Sequence, residues 1–283
     1  MDQLYTTLIE VEELINHLKE PDWVIVDCRF DLNNPDWGFL NYQQGHIPGS
    51  VYAHLDKDLS APLTPASGRH PLPTPQDFAS TLERLGISNS SQVIVLDTSG
   101  GSFAARLWWM LKWVGHTSVA VLNGGWNAWK MAGYPVAVGN KSKLPGHFEP
   151  HPQAGKFVTT SEILALLNDP NFKIIDARAP ERYRGEIEPL DPVAGHIPGS
   201  VNRFHEKNLA RAGKLKSAAL LRKEFEELIG NTPPDHVIVY CGSGVTSCHH
   251  LLAMEYAGIQ GAKLYAGSWS EWIRDPRRPI EKG

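Results

Sequence analysis

The sequence predicts an α/β protein made of two tandem copies of one domain, each a mainly parallel sheet flanked by helices. Three observations carry this reading. The hexapeptide GHIPGS stands at 45–50 and recurs letter for letter at 195–200. Short Val- and Ile-rich runs alternate with helical stretches. The chain has 283 residues, more than one hydrophobic core ordinarily organises.

The repeat extends well beyond the hexapeptide. WVIVDCR, ending at Arg29, precedes the first copy, and KIIDAR, ending at Arg178, precedes the second. VIV at 93–95 is answered by VIV at 237–239, and NGGWNAW, with Trp126 and Trp129, by AGSWSEW, with Trp269 and Trp272. Landmarks in one order over half a chain mark a duplicated domain, because solenoid units are far shorter. Between the copies, VGNKSKLPGHFEPHPQAGK has Gly, Pro and Lys without apolar periodicity, which is linker composition. The expected division is a first domain over 1–138, a linker over 139–154 and a second domain over 155–283.

Within each copy, VIVD, VIVL, SVAVL, KIID and VIVY have the length and β-branched content of buried strands. TSEILALLNDP opens with Thr and Ser caps and ends at Pro170, while AALLRKEFEELIG has helical apolar spacing and stops at Gly230. Strands alternating with helices give a parallel sheet. Ligands of such sheets lie beyond the carboxyl ends of the strands, so the residues after VIVL and VIVY are the first candidates for a site.

Composition narrows the function. Lys and Arg number 27 against 31 Asp and Glu, a net charge of −4, which offers no basic field for nucleic acid. Cys28, Cys241 and Cys248 are too few for a disulfide framework, so a reducing compartment is expected. The opening MDQLYTTLIE lacks a basic start and an apolar run, and no stretch approaches the roughly 20 apolar residues of a membrane span. A cytoplasmic protein without a membrane partner is expected.

The strand HVIVY runs directly into CGSGVTS and then into the helical CHHLLAMEYAG. Gly242 and Gly244 permit a turn whose N–H groups point inward as an anion-binding nest, and the helix start adds its dipole. Cys241 stands at the rim of this cradle, which favours the nucleophilic thiolate over a thiol whose free pKa is about 8.5. A cysteine after a buried strand is by default a small core residue. Here the matching loop of the first half, LDTSGGSFAARLWW, has Asp97 in place of Cys241, so only the second domain carries thiol chemistry.

The duplicated GHIPGS, the CGSGVT loop and the paired Trp segments resemble the tandem-domain rhodanese superfamily over nearly the whole chain. The resemblance implies a noncatalytic first domain and a catalytic second one. It also implies a six-residue loop (Cys241, Gly242, Ser243, Gly244, Val245, Thr246) and sulfur transfer through a Cys241 persulfide. Neither metal nor organic cofactor is expected. Thiosulfate sulfurtransferases of the superfamily typically place two basic residues after the cysteine, whereas CGSGVT is similar to the mercaptopyruvate sulfurtransferases. The expected donor is therefore 3-mercaptopyruvate, with a thiol or cyanide as acceptor and a protein thiol as a further acceptor class. Thiosulfate is the alternative donor, and a noncatalytic sulfur-relay or protein-binding module the second alternative.

The resemblance also implies the other site residues. In DARAPERYRG, Arg182 matches the family's carboxylate-binding arginine; Arg178 reads as a structural ion-pair partner and Arg184 as a surface charge or a second binder. Ser243, with His70 and Asp56 from the first half, matches a proton relay, and Asp58 competes with Asp56 for its place. One stretch departs from the family: EIEPLDPVAGHIPGS has no arginine between Arg184 and His196, where a second carboxylate-binding arginine usually stands.

Several other residues read as structural. His46 and His196 recur in both copies, the inert one included, and are expected to fix a turn. His249 and His250 are adjacent, so they project in different directions and make no metal site. Cys248 is expected in the core. A cysteine phosphatase also sets a cysteine before an anion-cradling loop, but it needs an arginine closing that loop, where this chain has Thr246 and Ser247.

Overall fold

The computed structural model describes residues 4–283, and the chain forms two compact units. The first unit comprises residues 1–61, 73–153 and 210–215, and the second comprises 62–72, 154–209 and 216–283. Each half of the sequence thus keeps its own sheet and gives one short segment to the other unit.

In the first unit the strands are β1 (Leu8–Ile9), β2 (Trp23–Asp27), β3 (Val51–Tyr52), β4 (Gln92–Leu96) and β5 (Val119–Leu122). All pair in parallel, in the order β1-β5-β4-β2-β3. Every residue of β4 and β5 is buried, as parallel strands covered on both faces require. Six helices follow in chain order: α1 (Val11–Leu14), α2 (Trp37–Gln44), α3 (Leu55–Asp58), α4 (Pro75–Arg84), α5 (Ala104–Trp113) and α6 (Gly125–Met131). Helix α4 starts where Thr74 accepts from the backbone N–H of Asp77 with proline at its first position, a favoured entry.

The second unit repeats this plan with β6 (Phe157–Val158), β7 (Lys173–Asp176), β8 (Val201–Asn202), β9 (Val237–Tyr240) and β10 (Lys263–Tyr265), in the order β6-β10-β9-β7-β8. Its helices are α7 (Thr160–Leu166), α8 (Pro180–Tyr183), α9 (Ala218–Ile229), α10 (Ser247–Tyr256) and α11 (Ser268–Trp272). Helix α7 opens with a full capping box between Thr159 and Glu162, and α9 stops at Gly230, whose φ is 60°. In both sheets the crossovers diverge between the two strands β2/β4 and β7/β9. That switch point opens a crevice at the carboxyl ends, after Leu96 and after Tyr240.

The repeated landmarks perform one task twice. Arg29 pairs with Asp27 and donates to the Gly45 carbonyl, while its guanidinium lies 4.9 Å from the Trp126 ring. Arg178 pairs with Asp176, donates to the Gly195 carbonyl and lies 4.8 Å from Trp269. His46 and His196 each hydrogen-bond a tyrosine carbonyl, of Tyr42 and Tyr183, and stack on the same ring. These two histidines are turn anchors. Trp129 and Trp272 are fully buried, their indole N–H groups satisfied by the carbonyls of Pro135 and Pro279; truncating either to Ala would cost about 3–5 kcal/mol.

The stretch with linker composition is packed rather than free. His151 and Gln153 donate backbone N–H groups to the carbonyls of Val114 and Trp113, the Asn89 side chain brackets Glu149, and Phe148 is buried against His116. Backbone bonds and one aromatic anchor hold it, so it shows no periodic apolar signal. Among the described residues no helix is long and apolar enough to cross a membrane.

Candidate active site

Cys241 follows β9 directly and is 2 % exposed. Its loop is pinned from α11: the Cys241 N–H donates to Ser268 Oγ (3.1 Å), and the Cys241 and Gly242 carbonyls accept from the N–H groups of Trp269 (3.0 Å) and Ser270 (2.8 Å). Ser268 holds a left-handed backbone, φ 53°, rare for a residue with a side chain and characteristic of strained functional turns. Gly244 has φ 77°, and a Cβ there would stand 2.2 Å from the Ala266 carbonyl oxygen, so only glycine fits. Val245 is buried, and Thr246 directly precedes α10.

Burial is the largest influence on the Cys241 thiol and pushes its pKa up. Hydrogen bonds from the Ser247 and Thr246 hydroxyls and from the backbone N–H groups of Ser243 and Ser247 outweigh it and leave the thiol below its ordinary value. The Ser247 hydroxyl lies 3.4 Å from Sγ. Cys28, by contrast, is buried beside Asp27 without such donors and is held well above the ordinary thiol range. Cys248 is fully buried with its thiol directed at the Gly244 carbonyl. The cradle therefore favours the anion at one cysteine alone of these two titrations.

The equivalent loop of the first unit has a carboxylate where the second has a thiol. The Asp97 carboxylate, 1 % exposed, accepts four backbone N–H bonds, from Ser99 (2.7 Å), Gly101 (2.9 Å), Phe103 (2.7 Å) and Ala104 (2.9 Å). The nest exists in both units, and in the first it is filled by the chain's own anion.

His70 comes from the first half of the sequence but belongs to the second unit, on the segment 62–72. Its Nδ1 shares a 2.7 Å hydrogen bond with Ser243 Oγ, and both residues are buried. The segment is seated by the Arg69 N–H donating to Ser270 Oγ and by Arg274 donating to the Ser67 carbonyl. Asp56 lies in the first unit, exposed on α3. Its neighbour Asp58 is engaged there by the His54 N–H and by Arg84.

Arg182, at the end of α8, donates to Glu188 through Nε and Nη2 and from Nη2 to Asp191. Arg178 is the buried partner of Asp176 and Glu188, and Arg184 is half-buried and paired with Glu186. The sequence reading missed Arg69, whose Nε and Nη2 grip Asp191. It also missed Ser247 and Ser268. The one signal for Arg69 was its place beside His70 in SGRHPLP. His249 and His250 are fully buried and both accept from the Asn208 amide, which makes them core hydrogen-bond partners.

The Rhodanese-like domain model matches residues 10–132 and 159–275. A probable 3-mercaptopyruvate sulfurtransferase from Pseudomonas aeruginosa is 45% identical over 278 residues, covering 98% of both chains. A putative thiosulfate sulfurtransferase from Mycobacterium tuberculosis is 38% identical over 283 residues, covering 98% of this chain and 97% of the relative. The crystal structure of a 3-mercaptopyruvate sulfotransferase from Escherichia coli superimposes with a TM-score of 0.82 at 31% identity, over 94% of this chain and 100% of that one.

Proposed function

Since the chain belongs to the rhodanese family of sulfurtransferases, we propose that it moves sulfane sulfur from 3-mercaptopyruvate to a thiol or cyanide through a persulfide on Cys241. The observation that carries the choice of donor is the 2.7 Å bond between His70 Nδ1 and Ser243 Oγ in the cysteine loop. Sulfur leaves thiosulfate with the bonding pair retained on sulfite, so no proton is needed and cations around a dianion are what help. Sulfur leaves mercaptopyruvate with the pair on C3, and the resulting enolate must be protonated. A buried hydroxyl–imidazole pair supports the second chemistry.

In this reading the Cys241 thiolate attacks the donor sulfur. An Sγ–S bond forms as the C3–S bond breaks, and its electron pair passes to the pyruvate enolate. The donor's thiol proton travels by way of Ser243 and His70 to C3, so the products are the anionic persulfide and pyruvate. Cyanide or a thiolate then attacks the outer sulfur, leaves as thiocyanate or as an acceptor persulfide, and restores the Cys241 thiolate. Gly242, Gly244, Val245 and Thr246 form the cradle for these anions, and Arg182 holds the donor carboxylate. A protein thiol serves as acceptor by the same step. Three free cysteines suit a reducing, cytoplasmic setting.

Thiosulfate is the competing donor because guanidinium groups approach the loop. Glu188 and Asp191 already neutralise them, which favours a substrate of lower charge. Steady-state transfer to cyanide, with both donors side by side and Cys241→Ser as the blank, tests the reading. The expected result is a kcat/KM for mercaptopyruvate at least about tenfold above that for thiosulfate, lost in the variant. Faster turnover of thiosulfate would overturn the donor, and no turnover of either would favour a relay or binding role.

A further inference from the structure

A cavity of about 400 Å3 is lined by residues of the first unit alone, within the size range of small-molecule sites. Its apolar wall is Phe39 on α2, Val51 and Tyr52 on β3, and Leu85 after α4. The Phe39 and Tyr52 rings stand 5.4 Å apart, tilted by 52°. Charge enters from α3, from α4 and from residues 140–142. Asp58 accepts from the His54 N–H (2.7 Å) and from Arg84 Nη2 (2.5 Å), so that acid is matched by a guanidinium. Lys57 and Lys141 are exposed and meet no acceptor among the described residues, and one further acid, Asp36, stands against them. The lining therefore carries a surplus of one positive charge.

His54, which lines the same cavity and is 6% exposed, adds a directed donor. Its Nδ1 accepts from the Asp56 N–H (3.1 Å), and burial, then Lys57, holds the imidazole below its ordinary pKa. The single ring proton therefore sits on Nε2. That N–H meets no acceptor in the chain, an uncommon state for a buried polar group. The fold does not demand a histidine there. Aligned on GHIPGS, the second copy reads VNRFHEKN against VYAHLDKD, with Phe204 in the place of His54. Its polar groups close on one another, Arg203 on Asn208 and Glu224, and Lys216 on Glu224. We propose that the first-unit cavity is a second small-molecule site, for a monoanionic carboxylate carried on a flat aromatic body. One carboxylate oxygen accepts from His54 Nε2, Lys57 and Lys141 balance the charge, and the ring lies against Phe39 and Tyr52. An amide of the same shape keeps the ring contacts but loses the charge, and an aromatic cation meets like charge.

The test is calorimetric titration of the full chain with 2-naphthoate, 2-naphthamide and 2-naphthylmethylammonium, with backbone amide shifts locating the ligand. Naphthoate should bind with a Kd of about 0.1–1 mM, about tenfold tighter than naphthamide, and the ammonium should not bind. Shifts should concentrate at Phe39, His54, Lys57 and Leu85. Lys57→Gln combined with Lys141→Gln changes only exposed side chains; it should weaken naphthoate about fivefold and leave naphthamide within about twofold. His54→Phe, the residue the second copy uses, should weaken naphthoate about tenfold. Equal affinity for the acid and the amide would overturn the carboxylate, and undiminished naphthoate binding in the variants would remove these side chains from the site. Shifts confined to the Cys241 loop would place the ligand in the sulfur-transfer site instead, and no binding up to about 10 mM would overturn the proposal outright.

Discussion

Replacing Asp97 by Ala measures what the anion cradle costs when it is empty. The carboxylate takes four backbone N–H bonds of 2.7–2.9 Å in a site that is 1 % exposed. Each buried donor left without a partner costs roughly 1–3 kcal/mol. Four together would cost more than the first unit can lose, but a water admitted to the vacated space can accept from two of them. The net penalty should be about 4 kcal/mol. For a unit of this size each kcal/mol lowers Tm by roughly 2–4 °C, so the first unit should melt about 8–16 °C lower. Scanning calorimetry reads the shift, and amide hydrogen exchange at Ser99, Gly101, Phe103 and Ala104 assigns it to this loop. Formate, the carboxylate that was removed, should restore part of the loss by binding the folded form. A shift below about 2 °C would refute the reasoning, since the four bonds would then add nothing net over solvation.

Two further outcomes follow from the second unit. Ser247→Ala removes the hydroxyl 3.4 Å from Cys241 Sγ; losing a bond to the thiolate worth about 1.5 kcal/mol should slow iodoacetamide alkylation at neutral pH roughly tenfold, and an unaltered rate would show that the backbone donors suffice. His250 is held neutral, its pKa pushed well below the ordinary value first by burial and then by Arg203. The unfolded chain takes up that proton below about pH 6.5 while the fold does not. Stability should therefore fall as pH drops from about 7 towards 5, and urea titrations of His250→Gln should show a shallower slope; an identical slope would locate the titrating group elsewhere.

Much of this was legible in local pattern. The strands VIVL and VIVY, the Thr159 cap with Glu162 three residues on, and the stop at Gly230 are short-range signals, and each appears where its chemistry requires. The role of Arg178 was legible because its partner Asp176 is two residues away. What escaped was made by long-range polar contacts without period. The Arg69 N–H meets Ser270 across 201 positions, and the Arg69 side chain meets Asp191 across 122. Segment 62–72 is rich in Pro, reads as a surface loop, and nothing in its composition announces that it belongs to the opposite unit. The left-handed turn at Ser268 was hidden for another reason: serine there contradicts backbone preference, which would select the glycine found at Gly125 in the first copy.

That exception ties the two cradles together. In the first unit a Cβ at Gly125 would stand 2.2 Å from the Asp97 carbonyl oxygen, and φ there is 56°, so glycine meets both demands at once. In the second unit the same turn is made by Ser268 at φ 53°, against an ordinary preference of the order of 1 kcal/mol. Its hydroxyl accepts the Cys241 N–H and donates to the Tyr265 carbonyl, fixing the backbone from which the thiolate projects. A permanent carboxylate needs no such anchor, because four N–H bonds already hold Asp97 in place. The sulfur anion of the proposed transfer, which must attack, carry a second sulfur atom and release it, has weaker bonds, and the strained serine supplies the rigidity they do not. Under the proposed sulfur transfer the duplicated fold separates two uses of one nest: in the first unit the anion is a structural bolt, and in the second it is the reactive group.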